Sequence, residues 1–383
     1  MPSFGSRPPR SARRLRLAAA LLALTHLGLS ESAEGQAVLQ DCRSACALEH
    51  RQVALLGTPE GPGVVAEPSM LTVRSDGVFV LVDRTDPRRV KFFAHDGSYL
   101  RSFGREGQGP GEFRTINALA VLPGDSVEIY DLGNGRFTLV GPDFALGRIS
   151  PPVGLMAPFI GRAPDGSRVV NALSPYPDRL GYPLHWLGPD LGHETSLGAD
   201  FSPGSRVDLE AWRRPMAEPT SRSVWVAHQP RYRLEEWDRN GELLRVLERH
   251  VTWFVPWEGT AVWEEDGRPR PYLAEVHRDV QGRLWTLVRL PGERWEEGLG
   301  PGREFGGRVL GSTVTDRHVL WDTRIEVIDP ESGIVLRSQH FDLSFHGFTN
   351  DGRVYAMVEV DGGRDVRIAV WELVEVGGAG ASR

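Results

Sequence analysis

Several residue types and motifs are rare or absent in the sequence, and each absence argues against a class of protein or site. Lysine occurs once, at Lys91, so arginine supplies almost all of the positive charge. Cysteine occurs twice, which provides too few ligands for a cysteine-based zinc site. The longest apolar run, residues 15–29, is too short to span a bilayer comfortably. The sequence also lacks a Gly-x-Ser-x-Gly nucleophile elbow and a phosphate loop ending in Lys-Ser or Lys-Thr. It therefore supports neither nucleophilic catalysis nor nucleotide binding through a phosphate loop.

The first 37 residues have the layout of a secretory signal peptide. Arginines lead into the apolar run, and Gly35-Gln36-Ala37 provides small residues at the −3 and −1 positions of a cleavage site. An uncleaved membrane anchor is the alternative interpretation. Removing residues 1–37, with five arginines and two acids, changes the net charge from −7 to −10. Because an acidic surface repels phosphate, nucleic acid is not an expected partner. We expect an exported monomer, periplasmic or extracellular, with no membrane span after signal removal.

The two cysteines, Cys42 and Cys46, fall in an expected N-terminal segment, residues 38–51. Export permits a disulfide, and an i, i+4 spacing on a helical turn can bring two Cα atoms within bridging range. A c-type haem site requires a histidine directly after the second cysteine, whereas His50 comes four residues after Cys46. The sequence therefore predicts a local disulfide.

Glycine-rich segments recur at a near-constant interval. Residues 56–63 (LGTPEGPG) and 103–113 (FGREGQGPGEF) each precede an alternating apolar segment that ends in aspartate, at Asp83 and Asp131. Gly57 and Gly104 are about 47 residues apart, a period that indicates a blade of a β-propeller. Glycines that adopt positive φ suit a sharp crossover between blades.

Six turns rich in Asp, Gly or Ser each precede a short apolar strand and predict six blades. They lie at residues 75–77, 123–125, 164–166, 221–223, 280–282 and 350–352. A second set of turns joins the third and fourth strands, and five occur, at residues 95–97, 141–143, 188–190, 239–241 and 330–333. The sixth blade therefore lacks a fourth strand of its own.

These patterns predict an all-β fold, a six-bladed β-propeller of four-stranded blades over residues 52–376. Residues 52–56 precede a glycine crossover, as an outermost strand does, and are expected to complete the last blade and close the ring. Residues 291–312 are expected to form a polar, mobile insertion, and residues 377–383 a disordered tail.

A family resemblance agrees with this architecture. The pattern Gly-x-x-Gly-x-Gly-x-Gly-x-Phe at residues 104–113, the apolar strand after it, and Asn134 with Arg136 resemble NHL-type repeats. More closely, they resemble exported bacterial six-bladed β-propeller proteins that carry a G-x-GPGEF crossover. Residues 52–148 match well, and the later blades match in turn placement alone. The resemblance implies a ligand- or protein-binding role and brings no common catalytic residues.

The functional surface is expected on the face where the crossovers and the loops between second and third strands emerge. Acid followed by arginine recurs in these loops. The aspartates can cap loop amides, or they can belong to a ring of groups that binds a protein, peptide or carbohydrate ligand. The candidate ligand-binding residues are Asp83, Arg84, Arg88, Asp131, Asn134, Arg136, His228, Arg231, Asp361 and Arg364.

Glu60-Gly61-Pro62 supports a second interpretation. It resembles the motif that opens gluconolactonase-like and strictosidine-synthase-like propellers, which implies a calcium-dependent hydrolase or lyase with Glu60, Asp83 and Asp131 as metal ligands. The crossover repeat explains the same motif without a metal. A binding or scaffold module without a cofactor is therefore favoured over an enzyme.

Tryptophan is concentrated in the second half of the chain. All eleven tryptophans lie between Trp186 and Trp371, and the densest group is Trp253, Trp257 and Trp263, beside several acids. Such a surface can stack a sugar or hold a peptide. Packing between irregular later blades is the simpler interpretation.

Overall fold

The computed structural model describes residues 35–376, apart from residues 44–45, 154–158, 173–181, 199–213, 259–261, 265–266, 302, 306–307, 311–312 and 364. The predicted tail, residues 377–383, lies outside the described residues, as does almost all of the predicted signal peptide. In the described part of the chain, no helix is long and apolar enough to cross a membrane.

Six sheets, each of four strands, carry the fold. Strands β1 (Gly35–Val38) and β2 (Leu48–Leu56) come before the first blade. Blade 1 contains β3 (Pro68–Val73), β4 (Phe79–Asp83), β5 (Asp86–Phe93) and β6 (Tyr99–Phe103). The short strands β7 (Arg105–Glu106) and β8 (Glu112–Phe113) pair within the crossover to blade 2. Blade 2 contains β9 (Ile116–Val121), β10 (Val127–Asp131), β11 (Arg136–Val140) and β12 (Leu146–Ile149). Blade 3 contains β13 (Phe159–Arg162), β14 (Arg168–Asn171), β15 (Leu184–Leu187) and β16 (His193–Leu197).

The later blades are less regular. Blade 4 contains β17 (Ser223–His228), β18 (Arg233–Asp238) and β19 (Leu243–Glu248), and residues 215–217 pair with β17 as its inner segment. Blade 5 contains β20 (Tyr272–Arg278), β21 (Leu284–Pro291), β26 (Trp321–Asp329) and β27 (Ile334–Phe341). Blade 6 contains β28 (Gly347–Phe348), β29 (Val354–Val360), β30 (Asp365–Glu375) and β2. The protein is therefore a six-bladed β-propeller, as predicted, and every predicted turn of both sets within the described residues joins the expected strands.

The ring is closed by the N-terminal strand, which confirms that prediction. Strand β2 pairs antiparallel with β30 from Leu48↔Glu375 to Leu56↔Ile368. The pairing begins at Leu48, four residues earlier than the sequence indicated, because polar residues between Leu48 and Gln52 continue the edge of the sheet. Leu48, Ala54 and Leu56 are buried against the last blade and its neighbours.

The chain before β2 lies along two further blades. Strand β1 adds to the outer edge of blade 4 by parallel pairing with β19. Gln40 then bridges to Ile334 at the outer edge of blade 5, and the Ser338 amide donates to the Cys46 carbonyl at 2.9 Å. We name residues 35–56 the N-terminal strap, since they connect the outer edges of blades 4, 5 and 6. The predicted Cys42–Cys46 disulfide lies within it, with a Cα–Cα distance of 5.9 Å.

The predicted insertion lies between the second and third strands of blade 5. Its described residues are not an unstructured loop: they contain the pairs β22 (Leu299–Gly300) with β25 (Thr313–Val314) and β23 (Arg303–Phe305) with β24 (Arg308–Leu310). A 3₁₀ turn, Trp295–Gly298, and a short helix, α1 (Arg317–Leu320), complete it. A second 3₁₀ turn, Gly61–Gly63, lies in the crossover from blade 6 to blade 1.

Apolar side chains pack between adjacent blades. Val82 and Phe92 of blade 1, for example, share a fully buried cluster with Val127 and Ile129 of blade 2. Gly104 shows why the crossovers need glycine: its φ is +100°, and a Cβ there would lie 2.6 Å from the ring of Phe113. The crossover therefore seals the cluster that it passes over.

Candidate functional site

The aspartates predicted as ligand groups are bonded to their own loops. Asp83 is buried, and its carboxylate accepts hydrogen bonds from the amides of Ala66, Glu67 and Thr85 at 2.7 to 3.3 Å. Asp131 has no exposed surface, and it accepts from the amides of Arg114, Thr115, Gly133 and Asn134. Each carboxylate thus joins a crossover to the end of the second strand.

Asn134 and Arg136 hold the same crossover from the other side. The Asn134 amide group donates to the Gly107 carbonyl at 2.9 Å and to Asp131 at 2.6 Å. Arg136 donates to the carbonyls of Gln108, Gly109 and Glu112. The sequence motif that these residues define is therefore built into the connection between blades.

The remaining predicted residues are spread over separate loops. Arg84 pairs with Glu67 at 3.2 Å, Arg88 with Glu106 at 3.6 Å and Arg231 with Glu258 at 3.4 Å. His228 lies in blade 4 with Nε2 2.9 Å from Glu235, and burial lowers the pKa of His228 to about 4. Asp361 is exposed with a φ of +53°, and Arg364 lies outside the described residues. The contacts of these residues join them to neighbours in their own or adjoining loops rather than into one shared ring.

The predicted calcium ligands do not form a common group. Glu60 is exposed in the crossover before blade 1, while Asp83 and Asp131 cap different blades. Among the described residues, one set of three His, Asp or Glu side chains has ligand atoms within 4.8 Å of one another: Asp322, His340 and Asp342. That set lies at the ends of β26 and β27, where Asp342 is 94% exposed.

A different cavity combines aromatic and polar groups. It has a volume of about 300 Å³ and opens on the face that carries the crossovers, around the inner strand of blade 5. We name it the blade 5 pocket. Its lining comes from blades 4, 5 and 6 and from the blade 5 insertion: Gln229, Val262, Trp263, Tyr272, Ala274, Glu275, Arg289, Val314, Leu320, Trp321 and His346.

Three aromatic rings form one wall of the blade 5 pocket. Tyr272 meets Trp321 edge to face, with centroids 5.2 Å apart, and Trp263 lies 5.9 Å from Trp321. Trp321 is buried and the other two are partly exposed. Trp263 is positioned by a bridge to Pro269 within the crossover from blade 4. The buried ring thus supports two rings whose surfaces remain accessible.

Glu275 enters the pocket because of a β-bulge. The register of β20 against β21 shifts between Leu273 and Glu275, so Ala274 and Glu275 both face the cavity. The Glu275 carboxylate accepts the Phe348 amide at 2.7 Å and lies against Gly347, where a Cβ would come within 2.4 Å of it. Burial raises the pKa of Glu275 to about 7, against the opposing effects of the Phe348 hydrogen bond and the Arg289 charge.

Arg289 and His346 provide the other ionisable groups. Arg289 Nη2 donates to the carbonyls of Phe345 at 3.2 Å and His346 at 3.5 Å, which links blade 5 to the crossover that enters blade 6. The His346 ring stacks on Tyr355 with centroids 6.2 Å apart. The pocket therefore offers a guanidinium, a carboxyl, an imidazole and the Gln229 amide beside an aromatic wall.

The pocket adjoins the axis of the propeller. Glu275 also lines a second cavity of about 220 Å³, which contacts the inner residues of all six blades. In that cavity His277 Nδ1 lies 3.2 Å from Glu218. Burial would lower the pKa of His277, but the Glu218 carboxylate raises it. Glu275 thus lines both the blade 5 pocket and this second cavity.

Most of this site was missed in the sequence. Trp263 belonged to the tryptophan group already noted, and His346 had no informative spacing. Glu275 and Arg289 left a weaker signal, since each is a charged residue within a largely apolar strand, YLAEVHR and LWTLVRLP. The side chains of the pocket come together because of the β-bulge and the packing of neighbouring blades. Neither feature can be predicted from a local sequence pattern.

No protein-family model matches the chain, and no curated protein matches it. Among solved structures, a Bacteroides fragilis protein predicted to be exported is 10% identical over 89% of this chain and 100% of that chain, with a TM-score of 0.56. A Xanthomonas campestris gluconolactonase is 14% identical over 80% and 87%, with a TM-score of 0.45. A streptogramin B lyase is 11% identical over 85% and 98%, with a TM-score of 0.44. At 10% identity, the similarity to the Bacteroides fragilis protein concerns the fold alone.

Proposed function

We propose that this protein is an exported binding module that takes a small, carbohydrate-like ligand in the blade 5 pocket. The observation that carries the proposal is the pairing of accessible aromatic rings with four polar side chains around one cavity. Sugars present apolar C–H faces that stack on aromatic rings and hydroxyls that need hydrogen-bonding partners. A volume of about 300 Å³ suits a monosaccharide-sized ligand.

The location on the face of the crossovers agrees with the general expectation for propellers, where loops carry function on a rigid scaffold. The residues of the pocket differ from those expected from the sequence, because backbone amides already donate hydrogen bonds to the carboxylates of Asp83 and Asp131. Export is supported by the signal-like sequence of residues 1–37 and by the Cys42–Cys46 disulfide.

The test is isothermal titration with a panel of monosaccharides, on the wild type and on Tyr272→Ala. We expect at least one sugar to bind, and Tyr272→Ala to weaken it by about tenfold or more through loss of the stacking surface. Tyr182→Ala is the matched control, because Tyr182 is 38% exposed and outside the pocket lining. Equal loss in both variants, or no binding of any sugar, would contradict the proposal.

A second candidate is a hydrolase or lyase that acts on the bound ligand. Glu275 favours it, since a carboxyl whose pKa lies near 7 suits general acid–base catalysis. Conversion of a bound sugar derivative that Glu275→Gln abolishes would support an enzyme. The calcium-dependent version predicts that EDTA lowers the melting temperature and calcium restores it; an unchanged melting curve would argue against it.

A further inference from the structure

The charges around the blade 5 pocket are not balanced. Two buried arginines elsewhere meet carboxylates: Arg249 forms two hydrogen bonds with Glu326, and Arg168 forms two with Glu128. Arg289 forms no ion pair with any residue that the structure describes, and its Nε is buried without a hydrogen-bond partner. Arg289 is partly exposed and lines the pocket, so its guanidinium is available to an anion that enters from outside the protein.

Glu275, the acid that lines the pocket, is not positioned to supply that anion. Its carboxylate is directed at the Phe348 amide and the backbone of Gly347, and it makes no ion pair with Arg289 within 4.0 Å. Because burial raises the pKa of Glu275 to about 7, much of its population is neutral at neutral pH. The guanidinium of Arg289 therefore makes the blade 5 pocket favourable for an anionic group.

We infer that the ligand is a sugar acid: a monosaccharide-sized ring that stacks on the aromatic wall and carries a carboxylate bound by Arg289. Nη2 already donates to the carbonyls of Phe345 and His346, and Nε is buried, so Nη1 is the atom through which Arg289 donates a charge-assisted hydrogen bond to the ligand carboxylate. This inference rests on the proposed function, since it specifies the ligand of the same pocket.

Matched ligand pairs test the inference on the unmodified protein. Glucose is compared with glucuronate, and galactose with galacturonate, by isothermal titration at pH 7. The members of each pair differ at C6 alone, so a difference in affinity reports recognition of the carboxylate. We expect each uronate to bind about tenfold or more tightly than its neutral partner.

The variant Arg289→Gln then tests whether Arg289 causes the preference for the uronate. This variant lacks the charge, so it should lower the affinity for the uronate more than that for the neutral sugar and reduce the ratio of the two affinities to about threefold or less. Arg84→Gln is the control, because Arg84 lies on the same face and pairs with Glu67 outside the pocket.

The outcomes separate the two proposals. Equal affinity for the neutral and acidic sugars in the wild type would overturn the sugar-acid inference and leave the carbohydrate proposal standing. A uronate preference that survives in Arg289→Gln would overturn the assignment to Arg289. Absence of binding by all four sugars up to about 10 mM would overturn the proposed function and the inference with it.

Discussion

Asp83 and Asp131 occupy equivalent positions at the ends of the second strands of blades 1 and 2, and both satisfy amides of the crossover that enters the blade. A buried carboxylate that accepts several N–H groups stabilises a loop whose backbone has few other partners. The acid in the repeated motif is therefore explained by folding. The groups proposed to bind the ligand come instead from residues outside the motif.

Asp131→Ala should lower the free energy of unfolding by about 3 kcal/mol, because at least three loop amides lose the buried carboxylate that accepts their hydrogen bonds. Urea denaturation measures the change. Asp342→Ala, at a 94% exposed side chain, should change stability by less than about 0.5 kcal/mol. If Asp131→Ala were as harmless as the control, the capping role would be wrong.

Glu275 should make stability depend on pH. Its folded pKa of about 7 exceeds the ordinary value of 4.5, so the native state binds the proton more tightly than the unfolded state does. Its contribution is therefore fully present below pH 4.5 and is lost as the pH rises to about 7, by up to about 3 kcal/mol. The surrounding charged groups, Arg289, Glu218 and His277, modulate this effect.

Glu275→Gln should remove that part of the pH dependence and be more stable than the wild type at pH 8. Denaturation curves at pH 5 and pH 8 test this. His277, whose pKa is also raised, will leave a residual decline with pH in the variant. An identical pH dependence in both proteins would show that Glu275 ionises normally in the folded state.

The blade hairpins were predictable because each is a local pattern, with turn residues followed by an alternating apolar strand. Gly77, for example, has a φ of +84°, a conformation that glycine adopts readily, so the residue type itself indicates the turn. The pocket was not predictable in the same way. It requires a bulge in β20, a tryptophan from the preceding crossover and an arginine from β21, and only tertiary structure brings these together.

The N-terminal strap was predicted in part. Its role in ring closure followed from the missing fourth strand of blade 6, whereas the parallel addition of β1 to blade 4 did not. The sequence indicated signal cleavage after Ala37, which lies inside β1. An edge strand such as β19 exposes unpaired backbone groups, and β1 satisfies them.

The disulfide should contribute modestly, because it closes a very short loop. The double variant Cys42→Ser, Cys46→Ser should lose about 2 kcal/mol in the free energy of unfolding. The same loss should follow treatment of the wild type with a reductant, which provides an internal control. A reductant effect that persists in the cysteine-free variant would mean that reduction acts elsewhere.

Closure of the ring should dominate the stability of the whole molecule. Removing residues 35–47 takes away the contacts with blades 4 and 5, and removing residues 35–56 also takes away the strand that completes blade 6. We expect the longer deletion to lower the melting temperature by about 10 °C or more beyond the shorter one, since several backbone hydrogen bonds and buried leucines are lost. Equal melting temperatures for the two deletions would rule out closure as a major source of stability.

The strap also affects the order in which the chain can fold. Strand β2 is synthesised before the other strands of the six blades, yet its partner β30 is synthesised after them: Arg51 meets Glu372 across 321 positions of sequence. Contacts of such long range form late and slowly. Until the C-terminal strand is available, β2 is an unpaired apolar strand that can pair wrongly with other chains. A chain that stopped before β30 would never acquire the closing contact, so the closed ring marks a polypeptide that has been made through β30.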